Sequence, residues 1–164
     1  MDAGSVKYSF VTTWFVGTPI DRVWEVIQDT GRWPEWWRYV RGATLLEPGD
    51  GRGVGALWRL EWGTALPYQI VFESRVTRVE PPNVLEAAVS GELNGIGRWS
   101  LTPRGADGAE TVVRYDWNVG TGKRWMNVLA PLARPLFGWN HNVVMDEGGR
   151  GLARRLDAPV LAEE

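Results

Sequence analysis

The sequence predicts an α+β fold, a curved antiparallel sheet of about seven strands wrapped around a long C-terminal helix, with two short helices after the first strand. Three observations carry this. Six consecutive runs between residues 40 and 119 are rich in β-formers and are separated by Gly, Pro, Asn and Asp clusters. Several of those runs keep their apolar side chains on one face only, as an antiparallel sheet covered on one side requires. Strong helical periodicity returns only late, in Phe137–Leu156, the one stretch long and apolar enough to cover that face.

The elements follow in order. Tyr8, Phe10, Thr12, Trp14 and Val16 alternate with Ser9, Val11, Thr13 and Phe15, giving a first strand that is apolar on both faces and ends at Gly17. Thr18-Pro19-Ile20-Asp21 reads as a helix start, with threonine as N-cap, proline at the first helical position and an acid two residues on. Ile20, Val23, Trp24 and Ile27 form its buried face, and Gly31 is the expected C-cap. Pro34 opens a second, short helix whose three indoles, Trp33, Trp36 and Trp37, exceed what one turn can bury against itself. They are expected to pack under the sheet or to guard an opening. Strands are predicted near 40–47, 55–63, 67–79, 84–92, 95–102 and 111–119. Trp58, Leu60 and Trp62 share one face of their strand, as do Tyr68, Ile70, Phe72, Ser74 and Val76, then Trp99 and Leu101, then Val113, Tyr115, Trp117 and Val119. After Thr121 helical spacing resumes through Trp125, Val128, Leu129, Leu132 and Leu136, interrupted by Pro131 and Pro135. Proline removes a helix hydrogen bond, so a short leading helix and a break near Ala130–Pro135 are expected before the long helix.

That long helix carries a stripe of His141, Met145, Gly148, Gly149, Leu152 and Leu156. Arg150, Arg154 and Arg155 lie mostly off it, where they complement the negative end of the helix dipole. A glycine inside a helix costs about 1 kcal/mol relative to alanine. Either the helix breaks at Gly148, Gly149 and Gly151, or a side chain there would fill space that something else must occupy; the second is the expectation.

Composition narrows the function. The 164 residues suit one domain, 1–164, and a net charge of −2 gives no basic footprint for nucleic acid or anionic membrane surfaces. There is no cysteine, which excludes disulfides, thiolate catalysis and zinc-thiolate sites. No apolar run is long enough to span a bilayer and MDAGSVKYSF lacks the form of a signal sequence, so stable membrane insertion is not expected and a cytoplasmic location is. Monomer and homodimer both stay open. Eleven tryptophans fit either an aromatic core or a cavity walled by rings.

Three phrases carry a resemblance: VGTPIDRVWEVI after the first strand, EPGDGRGVG between the second and third, and the final FGWNHNVVMDEGGRGLARRL. In their order along nearly the whole chain, the sequence resembles the START-like (SRPBCC, birch-pollen-allergen-like) superfamily and, within it, the bacterial polyketide cyclase/dehydrase-like proteins. The resemblance implies a helix-grip fold with an apolar cavity between sheet and long helix, closed at one end by the glycine-rich loop and the short helices. The superfamily spans lipid carriers, hormone receptors and cyclases, and no catalytic signature of it transfers to this chain.

Other motifs weigh less. Gly49–Gly55 lacks the Gly-Lys-Ser/Thr ending of a phosphate loop and leads into a strand, so it reads as a hairpin loop at a cavity mouth. Gly31-Arg32-Trp33 matches the lipocalin GxW by chance, since a strand and a helix precede it and only about six strands follow. No serine sits in a Gly-x-Ser-x-Gly elbow. Glu92 stands at a strand end, and Asp146 and Glu147 on the wet side of the helix. His141, the only histidine, is the candidate acid/base; the plainer reading has it bonded to backbone or to Asn140. One histidine without a cluster of acids is too few for a metal, and haem lacks a motif, so no cofactor and no metal are expected. The candidate ligand-binding set is Trp14, Trp62, Tyr68, Phe72, Trp99, Tyr115, Trp117, His141 and Met145. The expected function is binding of an apolar, aromatic or polycyclic small molecule in an internal cavity. The alternatives are a cyclase/dehydratase-type enzyme, with His141 as acid/base and Tyr68 or Tyr115 as donors, and a regulatory or protein-interaction domain with a vestigial cavity.

Overall fold

The computed structural model describes residues 7–121, 128 and 130–161. Strand β1 (Lys7–Val16) leads to helix α1 (Ile20–Ile27), a 3-10 turn (Thr30–Arg32) and short helix α2 (Trp33–Trp36). Six strands follow: β2 (Val40–Glu47), β3 (Leu57–Gly63), β4 (Gln69–Glu80), β5 (Val84–Gly91), β6 (Leu93–Arg104) and β7 (Glu110–Thr121). The chain closes with helix α3 (Ala130–Leu156) and a two-residue strand β8 (Val160–Leu161). One antiparallel sheet of eight strands runs in the order β2-β3-β4-β5-β6-β7-β1-β8. Each hairpin places consecutive strands side by side, and β1 closes onto β7, pairing Lys7 with Gly120 and Val16 with Thr111. Register shifts in the β2/β3 and β4/β5 pairs supply bulges that bend the sheet around α3. This is the helix-grip α+β architecture.

The period-2 pattern is realised as expected. Phe72, Ser74 and Val76 are buried while Gln69, Glu73, Arg75 and Thr77 are exposed. On β7, Val113, Tyr115 and Val119 are buried opposite exposed Arg114 and Asn118. The wet face is laced with exposed ion pairs such as Arg98–Glu86 and Arg114–Asp116 (2.8 Å), which contribute little individually.

Several local details differ from the sequence reading. Thr18 does not cap α1: the N-cap is Pro19, and the buried threonine is drawn into tertiary contacts instead. Its hydroxyl accepts from Arg22 (3.3 Å) and its carbonyl from the Thr111 hydroxyl on β7 (2.7 Å). Gly31 is not a C-cap either, since α1 ends at Ile27 and Gln28 follows. Gly31 sits in the 3-10 turn, where a Cβ would come within 3.1 Å of the Trp58 ring. The expected break near Pro135 is absent, because α3 runs unbroken from Ala130. Pro131, Leu132, Arg134 and Pro135 are all exposed, so water reaches the Pro131 carbonyl that Pro135 leaves without its N–H. The short leading helix around Trp125 lies outside the described residues. The edge strand β8, paired with Phe15 and Val16, carries no sequence signal.

The glycines of α3 make room for tryptophans. A Cβ on Gly148 would stand 2.7 Å from Cζ2 and Nε1 of Trp37, and one on Gly149 3.0 Å from Cδ1 of Trp14. One on Gly151 would collide with the Trp36 carbonyl oxygen. Trp37, fully buried, lies over the bare helix backbone and donates its indole N–H to the Val144 carbonyl (2.9 Å). Trp14, Trp36, Trp62, Trp33 and Trp99 surround it at 4.7–6.0 Å between ring centroids. The C-terminal half of α3 is therefore packed against an indole cluster.

Candidate ligand-binding cavity

Toward the N-terminal half of α3 the packing opens. A cavity of about 130 Å³ lies between sheet and helix. Tyr8 and Phe10 of β1, Trp62 of β3, Ile70 and Phe72 of β4, and Tyr115, Trp117 and Val119 of β7 form its sheet wall. Phe137, Asn140, His141, Val144 and Met145 of α3 form the other wall, with Gly63, Thr64 and Tyr68 of the β3–β4 connection at the rim. A second void of about 30 Å³, enough for roughly one water, lies past Trp62, Phe72, Tyr115 and Trp117, which border both spaces. Gly97 lets these rings lie flat on the sheet, since a Cβ there would meet the Tyr115 hydroxyl at 2.8 Å and Trp117 at 2.9 Å.

Of the predicted ligand-binding residues, Trp62, Tyr68, Phe72, Tyr115, Trp117, His141 and Met145 come together around the larger cavity. Trp99 borders only the smaller void. Trp14 borders neither, because its ring is packed against Trp37, Trp99 and the Gly149 backbone. Tyr8, Phe10, Phe137 and Asn140 went unselected, yet a signal existed. Tyr8 and Phe10 alternate in phase with Trp14, Phe137 lies one helical turn before His141, and Asn140 lies one turn before Val144.

The glycine-rich loop does not close this cavity. Asp50 folds it on itself, its carboxylate accepting from the N–H groups of Arg52 (2.8 Å) and Val54 (3.1 Å), and no residue of 49–55 is in either lining. The loop sits at the opposite end of β3 from the rim. Neither α1 nor α2 lines the larger space; Thr30 and Trp33 border the smaller one. The rim is the β3–β4 connection, held by the Thr64 hydroxyl on the carbonyls of Leu66 (2.8 Å) and Tyr68 (3.0 Å). Asn140 reaches it from α3, its side-chain oxygen accepting from the Ala65 N–H (2.8 Å).

His141 stacks on Phe10, with ring centroids 4.3 Å apart and planes 16° from parallel. Neither ring nitrogen is hydrogen-bonded to backbone or to Asn140. Burial lowers its pKa to about 4, with the neighbouring Asn142 side chain opposing. At neutral pH the imidazole is uncharged, offering one N–H and one lone pair, and it is not a proton donor in its cationic form. Burial likewise raises the Tyr68 hydroxyl, with Tyr8 adding to the rise and Asn140 opposing it, and pushes Tyr115 far above its ordinary value. Tyr8 is raised by burial against the influence of Arg134. Glu92, at the β5–β6 turn, accepts the Val71 N–H (2.7 Å) and is not in the lining. Among the described residues no cluster of three or more metal-ligating side chains occurs, and no helix is long and apolar enough to cross a membrane.

Residues 7–157 match the sequence model of the family described as polyketide cyclase/dehydrase and lipid transport. The chain belongs to that family. Structures of the same fold include a START superfamily protein from Mycobacterium smegmatis (TM-score 0.72, 18% identity, covering 91% of this chain and 97% of that one). An aromatase/cyclase from Streptomyces sp. R1128 superposes equally well (TM-score 0.72, 18% identity, 93% and 94% covered). A norcoclaurine synthase from Thalictrum is more distant (TM-score 0.61, 14% identity, 94% and 99% covered). At such identities the likeness is one of fold. No curated protein matches the sequence significantly.

Proposed function

We propose that the protein binds an apolar, ring-bearing small molecule between its sheet and the N-terminal half of α3. The observation that carries this is the aromatic-lined space of about 130 Å³. It is close to the roughly 150 Å³ engineered cavity that stays dry and takes up benzene. A void of that size argues against a vestigial compartment, for which a core packed throughout is expected. Its dimensions suit one ring, or two if Trp62, Phe72 or Trp117 turns and joins the smaller void. Trp62 and Trp117 are the reporters. A flat ligand is expected to quench emission, and Trp62→Phe with Trp117→Phe to remove most of that quenching. Quenching unchanged in the double variant, or none with any one- or two-ring hydrocarbon, refutes the proposal.

A second reading, catalysis of a cyclase/dehydratase type, is favoured by one observation: the uncharged His141 imidazole in the wall. With its pKa held at about 4 the imidazole is a weak base, so its role is to hydrogen-bond a bound ligand while the rings hold it in one conformation and exclude water. Turnover of a reactive polyketone that persists unchanged in His141→Ala removes that role.

A further inference from the structure

The N-terminal half of α3 has a second face, which the cavity does not use. At 3.6 residues per turn, Leu132, Leu136, Trp139 and Val143 fall within about 60° of one another, on the opposite side of the helix from His141, Met145 and Gly148. Leu132 is 83% exposed, Leu136 46% and Trp139 52%, and Val143 is half-buried. Exposed Val11, Leu45 and Ile96 lie on three different strands, and singly exposed apolar residues need no explanation. A contiguous apolar stripe does. Its spacing of four, three and four residues is that of a seam between paired helices. Beyond Val143 the same face turns polar, with exposed Asp146 and Arg150, so the stripe has a defined end.

Charge decides what covers it. Arg134 is the one charged residue from Leu132 to Val143, and its guanidinium carbon lies 5.9 Å from the centroid of the Tyr8 ring, on the sheet side of α3. An anionic bilayer surface calls for cations beside the apolar stripe, and here the cation faces away from it. A second copy of the same uncharged face calls for none. We propose that this face is a homodimer interface in which two copies of α3 pack antiparallel about a two-fold axis level with the Phe137–Gly138 bond. That register sets Leu136 against the partner's Trp139 and Leu132 against the partner's Val143. One axis generates both pairings, as an isologous contact requires. With Pro135 at its margin, the stripe exposes on the order of 500 Å² per copy, so a dimer covers about 1,000 Å², the lower limit for a specific interface. The dimer is therefore weak and reversible. It does not depend on whether the cavity holds a ligand.

The test is sedimentation equilibrium of the full chain from about 5 to 500 μM, a range suited to an interface of this size. The mass is expected to rise reversibly from that of one chain toward that of two. Leu132→Glu and Trp139→Glu are each expected to weaken the dimer at least tenfold. Both side chains are exposed in the single chain, so circular dichroism is expected to show unchanged folding; Leu132→Gln supplies the comparison if either variant fails to fold. Leu45→Glu, at a side chain 47% exposed on β2, is the control and is expected to leave the dimer unchanged. A single chain at every concentration overturns the inference, as does a dimer that neither stripe variant weakens. Flotation with phosphatidylserine vesicles separates the other occupant. Vesicle binding that Leu132→Glu abolishes, with one chain only in solution, assigns the face to lipid and overturns the dimer.

Discussion

Gly148→Ala isolates the packing that seals one end of the compartment. Taken alone, the substitution stabilises an interior helix position by about 1 kcal/mol. Against this, the new Cβ would stand 2.7 Å from Cζ2 and Nε1 of Trp37, a ring with no exposed surface and neighbours on every side. Overpacking of this kind costs about 1–3 kcal/mol. Moving the indole also breaks its 2.9 Å bond to the Val144 carbonyl, stranding a buried donor at about 1–3 kcal/mol more. The net is a loss of roughly 3 kcal/mol, or about 6–12 °C in Tm for a chain of this size. Gly138→Ala, in the same helix, is the control. Its Cβ would meet only Phe10 Cε1 at 3.9 Å, an ordinary contact, so it is expected to stabilise by a few tenths to about 1 kcal/mol. Urea unfolding of both variants against the parent measures the difference. Two variants that are equally stable, or a Gly148→Ala protein more stable than the parent, would refute the role assigned to the glycines.

The rim and His141 have testable consequences of their own. Burial holds the His141 imidazole at a pKa of about 4 when folded, against 6.5 when exposed. Its contribution is therefore complete above about pH 6.5 and lost as pH falls toward 4, by at most roughly 3 kcal/mol. His141→Leu is expected to lose less stability than the parent between pH 7.5 and 4.5 in urea titrations, and parallel losses contradict the assignment. Asn140→Ala removes the acceptor of the Ala65 N–H, so faster hydrogen exchange at Ala65 is expected, together with faster ligand release; unchanged exchange there shows that the rim is held by other bonds. Thr111→Val leaves the buried Thr18 carbonyl without its donor and is expected to cost about 1–3 kcal/mol, measured by denaturation.

What the sequence revealed, and what it hid, has a common physical cause. Alternation shows which face of a strand a side chain occupies, so the inward positions of β4, β6 and β7 were readable from local pattern. It does not show where along the strand the face is hollow. Tyr8 and Trp14 share a face of β1, yet they lie about 20 Å apart at some 3.3 Å per residue, one beside the cavity and one inside the indole cluster. The glycine-rich loop was assigned to the wrong end for the same reason, since its composition marks a turn and only strand pairing tells which end of the sheet it caps. Gly148, Gly149 and Gly151 signalled that something occupies the space beside α3, but the occupant, Trp37, is separated by 107 residues from the carbonyl it reaches. Thr18 had every local mark of a cap and was taken instead by Thr111, 93 residues away. Local periodicity and turn chemistry were legible; partners chosen across the chain were not.

The most direct measurement is a high-resolution crystal structure of the full chain soaked with p-cresol. Ordered density for one ring is expected between Phe72, Trp117 and Met145. A space filled instead by rotated side chains, with the protein otherwise intact and no ring bound at saturating ligand, would contradict the account.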